Sequence, residues 1–282
     1  MASRMSIRHV TTYRYATPVA SSYNEARLTP QTTLAQTTVD ARISVEPVAH
    51  IARYWDYWGT LVHAFDVHIP HTEMVVTGTS VVERPGRLEP PAPDVGWDGV
   101  EGAAMRDQHC EYLAATGFAP DDPDIAGVGD EIRAGAGTPR DAVHATTDWV
   151  RSQLEYEPGA TTVSTSAVEA WRSGRGVCQD FVHLTLAVLR AAGVPARYVS
   201  GYLHPHRAPE VGAAAIGQSH AWVEAWVGDW MGVDPTNLVE IADRHVLVAR
   251  GRDYGDVPPL KGVYSGGAAQ QSSVVVELTR LG

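Results

Sequence analysis

Cys178, His220 and Asp234 are the residues whose types and surroundings best fit nucleophilic chemistry. Cys178 follows Gly174-Arg175-Gly176-Val177. It opens a stretch, Phe181, Val182, Leu184, Leu186, Val188 and Leu189, that is apolar almost all round. This pattern predicts a thiol in the first turn of a buried helix. The helix macrodipole puts partial positive charge there, which favours thiolate, the reactive form. Backbone N–H groups at the same helix end can hold a developing oxyanion. A cysteine taken alone is more often a small buried residue. The glycines ahead of it and the helix start favour the chemical reading.

His220 begins an alternating run in which Trp222, Glu224 and Trp226 share its face, while Ala221, Val223 and Ala225 share the other. For any one of the twelve histidines, a satisfied surface role is commoner. Gly228-Asp229 reads as a hairpin turn. Counted back from that turn, Asp234 falls near the level of His220 or Trp222. A carboxylate there accepts from the imidazole N–H, fixes the tautomer and stabilises imidazolium. Asp234-Pro235-Thr236 also reads as a strand-ending turn, and both readings can hold at once. Each signal is weak alone. Together they follow the order nucleophile, base, orienting carboxylate.

The elements that must position these residues fall into two regions. Residues 1–85 read as a sandwich-like β-rich domain. Residues 8–15 form a strand stopped by Pro18, and residues 39–45 alternate as a half-buried strand. Trp55 to Gly59 makes a turn, residues 61–69 and 74–82 give two more strands, and Gly78 marks a bulge. Residues 86–100 are a proline-rich linker, and residues 101–282 form the catalytic domain. In that domain residues 105–115 form a short helix that buries Cys110. Thr138-Pro139 starts a helix reaching about residue 154. Ser166 and Glu169 form a capping box for a helix stopping at Gly174. Strands return at 196–203, 220–227 and 230–233. The fold class is α+β, helices first and then an antiparallel sheet.

The 282 residues carry 22 Lys and Arg against 33 Asp and Glu, a net charge of −11. That balance disfavours nucleic acid and anionic membrane surfaces as partners. The first nine residues lack the apolar core of a signal peptide, and no run of about 18 apolar residues exists to span a bilayer. Two cysteines suit a reducing compartment, and cytoplasm is the expected location.

Gly176-Val177-Cys178, His220-Ala221-Trp222 and Asp234-Pro235-Thr236 resemble the motifs of the transglutaminase-like superfamily. The resemblance implies a papain-like α+β core with Cys178 as nucleophile, His220 as base and Asp234 as its orienting partner. Thr12-Tyr13-Arg14-Tyr15, residues 25–30 and Asp56-Tyr57-Trp58-Gly59 resemble the N-terminal β domain of bacterial members, so the likeness spans nearly the whole chain. Animal transglutaminases have Gln-Cys-Trp where this chain has Val177-Cys178-Gln179, and no calcium-binding loop is evident. Both departures favour hydrolysis over cross-linking. The expected function is a cysteine-dependent amide hydrolase, a peptidase or deamidase, acting on a peptide or protein amide. Acyl transfer to an amine and a non-catalytic interaction module are the alternatives.

Tyr156, Gln179 and Trp222 are further candidates for oxyanion or substrate contacts, although Tyr156 and Trp222 also fit packed aromatics. His204 and His206 share a face at a strand end, but no second ligand pair stands nearby, so neither metal nor cofactor is expected. Residues 204–217 are longer than a hairpin needs and suggest a substrate-gating loop.

Overall fold

The computed structural model describes residues 3–85, 95–266 and 270–282. The N-terminal region contains β1 (Ser3–Ala26), β2 (Thr37–Glu46), β3 (Ile51–Trp55), β4 (Leu61–Val67) and β5 (His71–Arg84). The hub is β1. Its first half pairs with β5, its second half with β4, all antiparallel. Tyr15, Val19, Leu28, Val45, Phe65 and Val76 fill the core these strands enclose. Pro18 does not end β1. It sits where pairing to β5 shifts, between Arg14 and Val19. A proline has no N–H for a ladder, and an irregular stretch is where a strand tolerates one. Gly78 is no bulge either. It pairs in register with His9 and Ile43, and a β-carbon there would lie 3.1 Å from that of Leu28.

Helices follow: α1 (Gly96–Glu101), α2 (Ala103–Gln108), α3 (Cys110–Leu113), α4 (Pro123–Gly135) and α5 (Pro139–Gln153). Of the expected linker, residues 86–94 lie outside the described residues and the remainder is largely α1. The single helix expected at 105–115 is two, broken at His109. His109 turns inward, with its ring 4.5 Å from that of Trp226. Cys110 is left exposed, not buried as expected for one continuous helix. Thr138 caps α5, accepting from Asp141 N.

The short strand β6 (Glu155–Tyr156) precedes α6 (Ala167–Ser173), which opens with the capping box of Ser166 and Glu169. Then come β7 (Arg175–Gly176) and α7 (Cys178–Ala191). Phe181, Val182, Leu184, Leu186, Val188 and Leu189 of α7 are fully buried. Each contributes about 1.5–3 kcal/mol on leaving water, so α7 is the axis of the second core.

That core is closed by β8 (Ala196–Leu203), β9 (Ala214–Trp226), β10 (Trp230–Asp234), β11 (Val239–Glu240) and β12 (His245–Gly251). A 3-10 turn (Tyr254–Asp256) leads to β13 (Leu260–Gly266) and β14 (Gln270–Arg280). Ala221, Val223 and Ala225 of β9 face this core. On the opposite side Trp222 packs with Val199 and Leu247, as the alternation predicts. The sheet does not stop at the expected boundary. In a continuous twelve-stranded sheet, β14 lies between β1 and β9 and pairs with both, while β13 pairs with β1. Met5, Ile7 and Val82 of the N-terminal region belong to the core around α7. Among the described residues no helix is long and apolar enough to cross a membrane.

Candidate active site

The parallel pairing of β6 with β7, Glu155 to Arg175 and Tyr156 to Gly176, leads the chain into α7. Val177 is the N-cap in an extended conformation, and its side chain has no oxygen to accept a hydrogen bond. Asp180 compensates: its Oδ2 accepts from Val177 N at 2.8 Å and from Thr161 Oγ1 at 2.6 Å. Asp180 is fully buried, and burial pushes its carboxyl up against the opposing hydrogen bonds. Gln179, next to Cys178, donates to Val163 O at 3.2 Å. Thr161 and Val163 tie the segment after β6 to the helix start. The first-turn amides of α7 surround Cys178 with partial positive charge.

The β9–β10 hairpin places Trp230 opposite Trp226 and Val233 opposite Val223. Asp234 thus arrives level with Trp222, and its carboxylate reaches diagonally to His220, whose Nε2 lies 2.7 Å from Asp234 Oδ2. Asp234 Oδ1 accepts from the backbone N–H groups of Thr236 at 3.0 Å and Asn237 at 3.2 Å. Its Oδ2 also accepts from Asn237 Nδ2 at 2.7 Å. Burial disfavours the charged carboxylate, but the side chains of His220, His245 and Asn237 outweigh it and hold Asp234 well below the usual carboxylate range.

His220 is buried as well, which on its own disfavours imidazolium. The bond to Asp234 and the hydrogen bond and charge of Cys178 outweigh burial and raise it to about 10. With Nε2 engaged by Asp234, Nδ1 is left for Cys178. The structure therefore brings Cys178, His220 and Asp234 together in that order.

Beside His220 opens a cavity of about 470 Å³, lined in part by Arg151, Tyr156, Leu203, Ile216 and Asn237. Tyr156 faces it, half-exposed. Partial burial and the Cys178 charge push its hydroxyl up. Trp222 is 1% exposed and packs with Val199 and Leu247. Gln179 is anchored to Val163. Of the three further candidates, only Tyr156 lies at the opening. Of residues 204–217, expected as a gating loop, the final part is held in the sheet. From Ala214 it is strand β9, and residues 214–217 pair with β14.

His204 and His206 bond to each other, with His206 N donating to His204 Nδ1 at 3.2 Å. Among the described residues, His220, Asp234 and His245 lie close enough to share an ion. Their facing atoms are already joined by hydrogen bonds of 2.7 and 3.5 Å. The sequence reading missed Asn237 and His245. The Asp-Pro-Thr-Asn spacing carries a signal for Asn237, since Asx turns bond two and three residues on. Nothing local marks His245.

Two family patterns match the chain: the transglutaminase-like superfamily over residues 126–235 and the bacterial transglutaminase-like N-terminal region over residues 5–83. An uncharacterized protein of Mycobacterium leprae is 49% identical over 278 residues, 99% of both chains. A protein-glutamine gamma-glutamyltransferase of Pseudomonas aeruginosa is 32% identical over 128 residues, 42% of this chain and 19% of that one. The crystal structure of a presumed cysteine protease from Cytophaga hutchinsonii superposes with a TM-score of 0.79 at 24% identity, over 100% of this chain and 92% of that one.

Proposed function

Because the chain belongs to the transglutaminase-like superfamily, we propose that it is a cysteine-dependent amide hydrolase whose catalytic residues are Cys178, His220 and Asp234. The observation that carries the proposal is the 2.7 Å bond from His220 to the buried Asp234, with Cys178 of the α7 first turn on the same imidazole. The Cys178 thiolate attacks the carbonyl carbon of a peptide or protein amide. The electrons of the C=O bond move to oxygen, and the first-turn amides of α7 hold that oxyanion. The tetrahedral intermediate collapses to a thioester as the C–N bond breaks, and His220 gives its proton to the departing amine. Neutral His220 then takes a proton from water, which attacks the thioester. The acid leaves and the thiolate–imidazolium pair is restored. Asp234 keeps His220 in one tautomer and stabilises its charge throughout.

Tyr156 is the side chain best placed to assist at the oxyanion, because it lies at the mouth of the cavity near Cys178. Both cysteines are free, which suits a reducing compartment such as the cytoplasm.

The similarity to the Pseudomonas glutamyltransferase favours a second reading, in which an amine takes the place of water at the thioester. Incubation with a peptide library, with and without a primary amine, separates the two by mass spectrometry. Hydrolysis adds water, or converts amide to acid, whether or not amine is present. Transfer yields amine adducts in its place. Neither product from the wild type would overturn the amide reading, and equal product from C178A would remove Cys178 from the reaction.

A further inference from the structure

His245 opens β12 and is 1% exposed. Its Nδ1 accepts from Ala242 N at 3.3 Å. A backbone N–H can only donate, so Nδ1 holds the lone pair and the proton sits on Nε2. That atom faces Asp234 Oδ2 at 3.5 Å, a long hydrogen bond onto the oxygen that His220 uses. Burial lowers the pKa of His245 and favours this neutral form. The ring also stands edge-on to Trp222, with centroids 5.3 Å apart.

The turn that carries His245 is held from the N-terminal region. Arg84, the last residue of β5, is buried and donates through Nη1 to Ala242 O at 2.7 Å and to His245 O. Two residues on, Leu247 N donates to Gln36 Oε1 at 2.9 Å, and Leu247 O accepts from Gln36 Nε2 at 2.8 Å. Residues on both sides of His245 are thus pinned by residues from before the linker.

We propose that His245 is a positioning residue that holds the Asp234 carboxylate against His220, and that Arg84 carries this hold into the N-terminal β region. The proposal rests on the reading of Cys178, His220 and Asp234 as catalytic. Asp234 must keep one oxygen on the imidazole while His220 changes charge twice per turnover. A neutral second imidazole donates to that oxygen without competing for the proton. The β region then has a part in the reaction: it fixes the residue that fixes the carboxylate.

The test is the iodoacetamide labelling rate of Cys178 in the full chain near neutral pH, read by mass spectrometry on its peptide, with Cys110 as internal reference. His245→Asn keeps an acceptor for Ala242 N–H but does not reach Asp234. His245→Gln restores a donor at the Nε2 position. Partners of this kind cost about 10- to 100-fold when lost from metal sites. A drop of about tenfold is expected for H245N, with H245Q recovering most of it, and Cys110 unchanged in both. A purely structural role would move both variants alike. Arg84→Met is the second variant, expected to slow Cys178 in the same direction. If H220A slows Cys178 while H245N and R84M leave it at the wild-type rate, the positioning role is wrong and the catalytic reading stands. If H220A also leaves the rate unchanged, it is the catalytic reading that fails.

Discussion

Asp180 lies so close to Gly176 that a β-carbon at 176 would sit 2.6 Å from the Asp180 β-carbon. No real pair of side chains approaches so closely, and Asp180 is held by Val177 N and Thr161 Oγ1. Gly176→Ala must therefore push the carboxylate off the start of α7. Overpacking of this kind costs about 1–3 kcal/mol, and the lost cap adds about 1 kcal/mol. Urea unfolding of the variant is expected to show a lower midpoint with an unchanged slope. Slower Cys178 labelling should accompany it. An unchanged midpoint would mean that the two residues do not constrain each other.

Asp234→Asn is expected to damage both catalysis and stability. In a serine protease the equivalent change costs about 10⁴-fold. A thiolate–imidazolium pair leans less on its third member, so a fall of roughly 10- to 1,000-fold is expected here. Stability falls too, because an amide N–H₂ in place of Oδ2 would face the donors of His220, Asn237 and His245. Donors left unpaired in a buried site cost about 1–3 kcal/mol. Full activity with the substrate found in the library screen would end the orienting role.

His220 and Asp234 shift in opposite directions because each favours the charged form of the other. His220 rises from 6.5 to about 10 on folding. Its contribution to stability is therefore full below about 6.5 and is lost as pH rises towards about 10. Asp234 is depressed, so its contribution is present above 3.8 and fades as pH falls below that. The unfolding free energy of wild type minus that of H220A should stay level just below pH 6.5 and decline from there to about 10. A gap that widens over the same window would contradict the assignment.

Cys110 is exposed and Cys178 is partly buried, so accessibility alone favours Cys110 as the faster thiol. The pairing of Cys178 with His220 predicts the reverse at neutral pH, because thiolate is what alkylates. His220→Ala should reverse the order again, with Cys110 at its wild-type rate. Peptide mass spectrometry over a short time course reads both sites at once. A wild type in which Cys110 labels faster would argue against an activated Cys178.

The sequence was most legible where the signal is local. Thr138, Ser166 and Glu169 cap the helices they were expected to cap. β8 has the expected bounds, and the hairpin count placed Asp234 within reach of His220. Signals were lost where the cause lies far along the chain. His245 meets Asp234 only because β12 pairs with β8 and Arg84 holds its turn. Pro18 read as a stop because local propensity does not register that β1 gains other partners beyond its irregularity. Cys110 was expected to be buried within a single helix, yet the break at His109 leaves it exposed and turns His109 inward.

The position of β14 bears on how the molecule comes to exist. Arg8 and Glu277 are ion-paired across β1 and β14 although 269 positions separate them in sequence. During translation β1 emerges long before β14 and waits, one edge unpaired, while the residues between them are made. Closing so large a loop is slow, and an unpaired strand edge is open to neighbouring nascent chains. The strand that joins the two halves of the sheet leaves the ribosome only after all the strands it joins. The segment of β9 leading into His220 gains this neighbour only once β14 has been made, so the site is completed later than β9 itself appears.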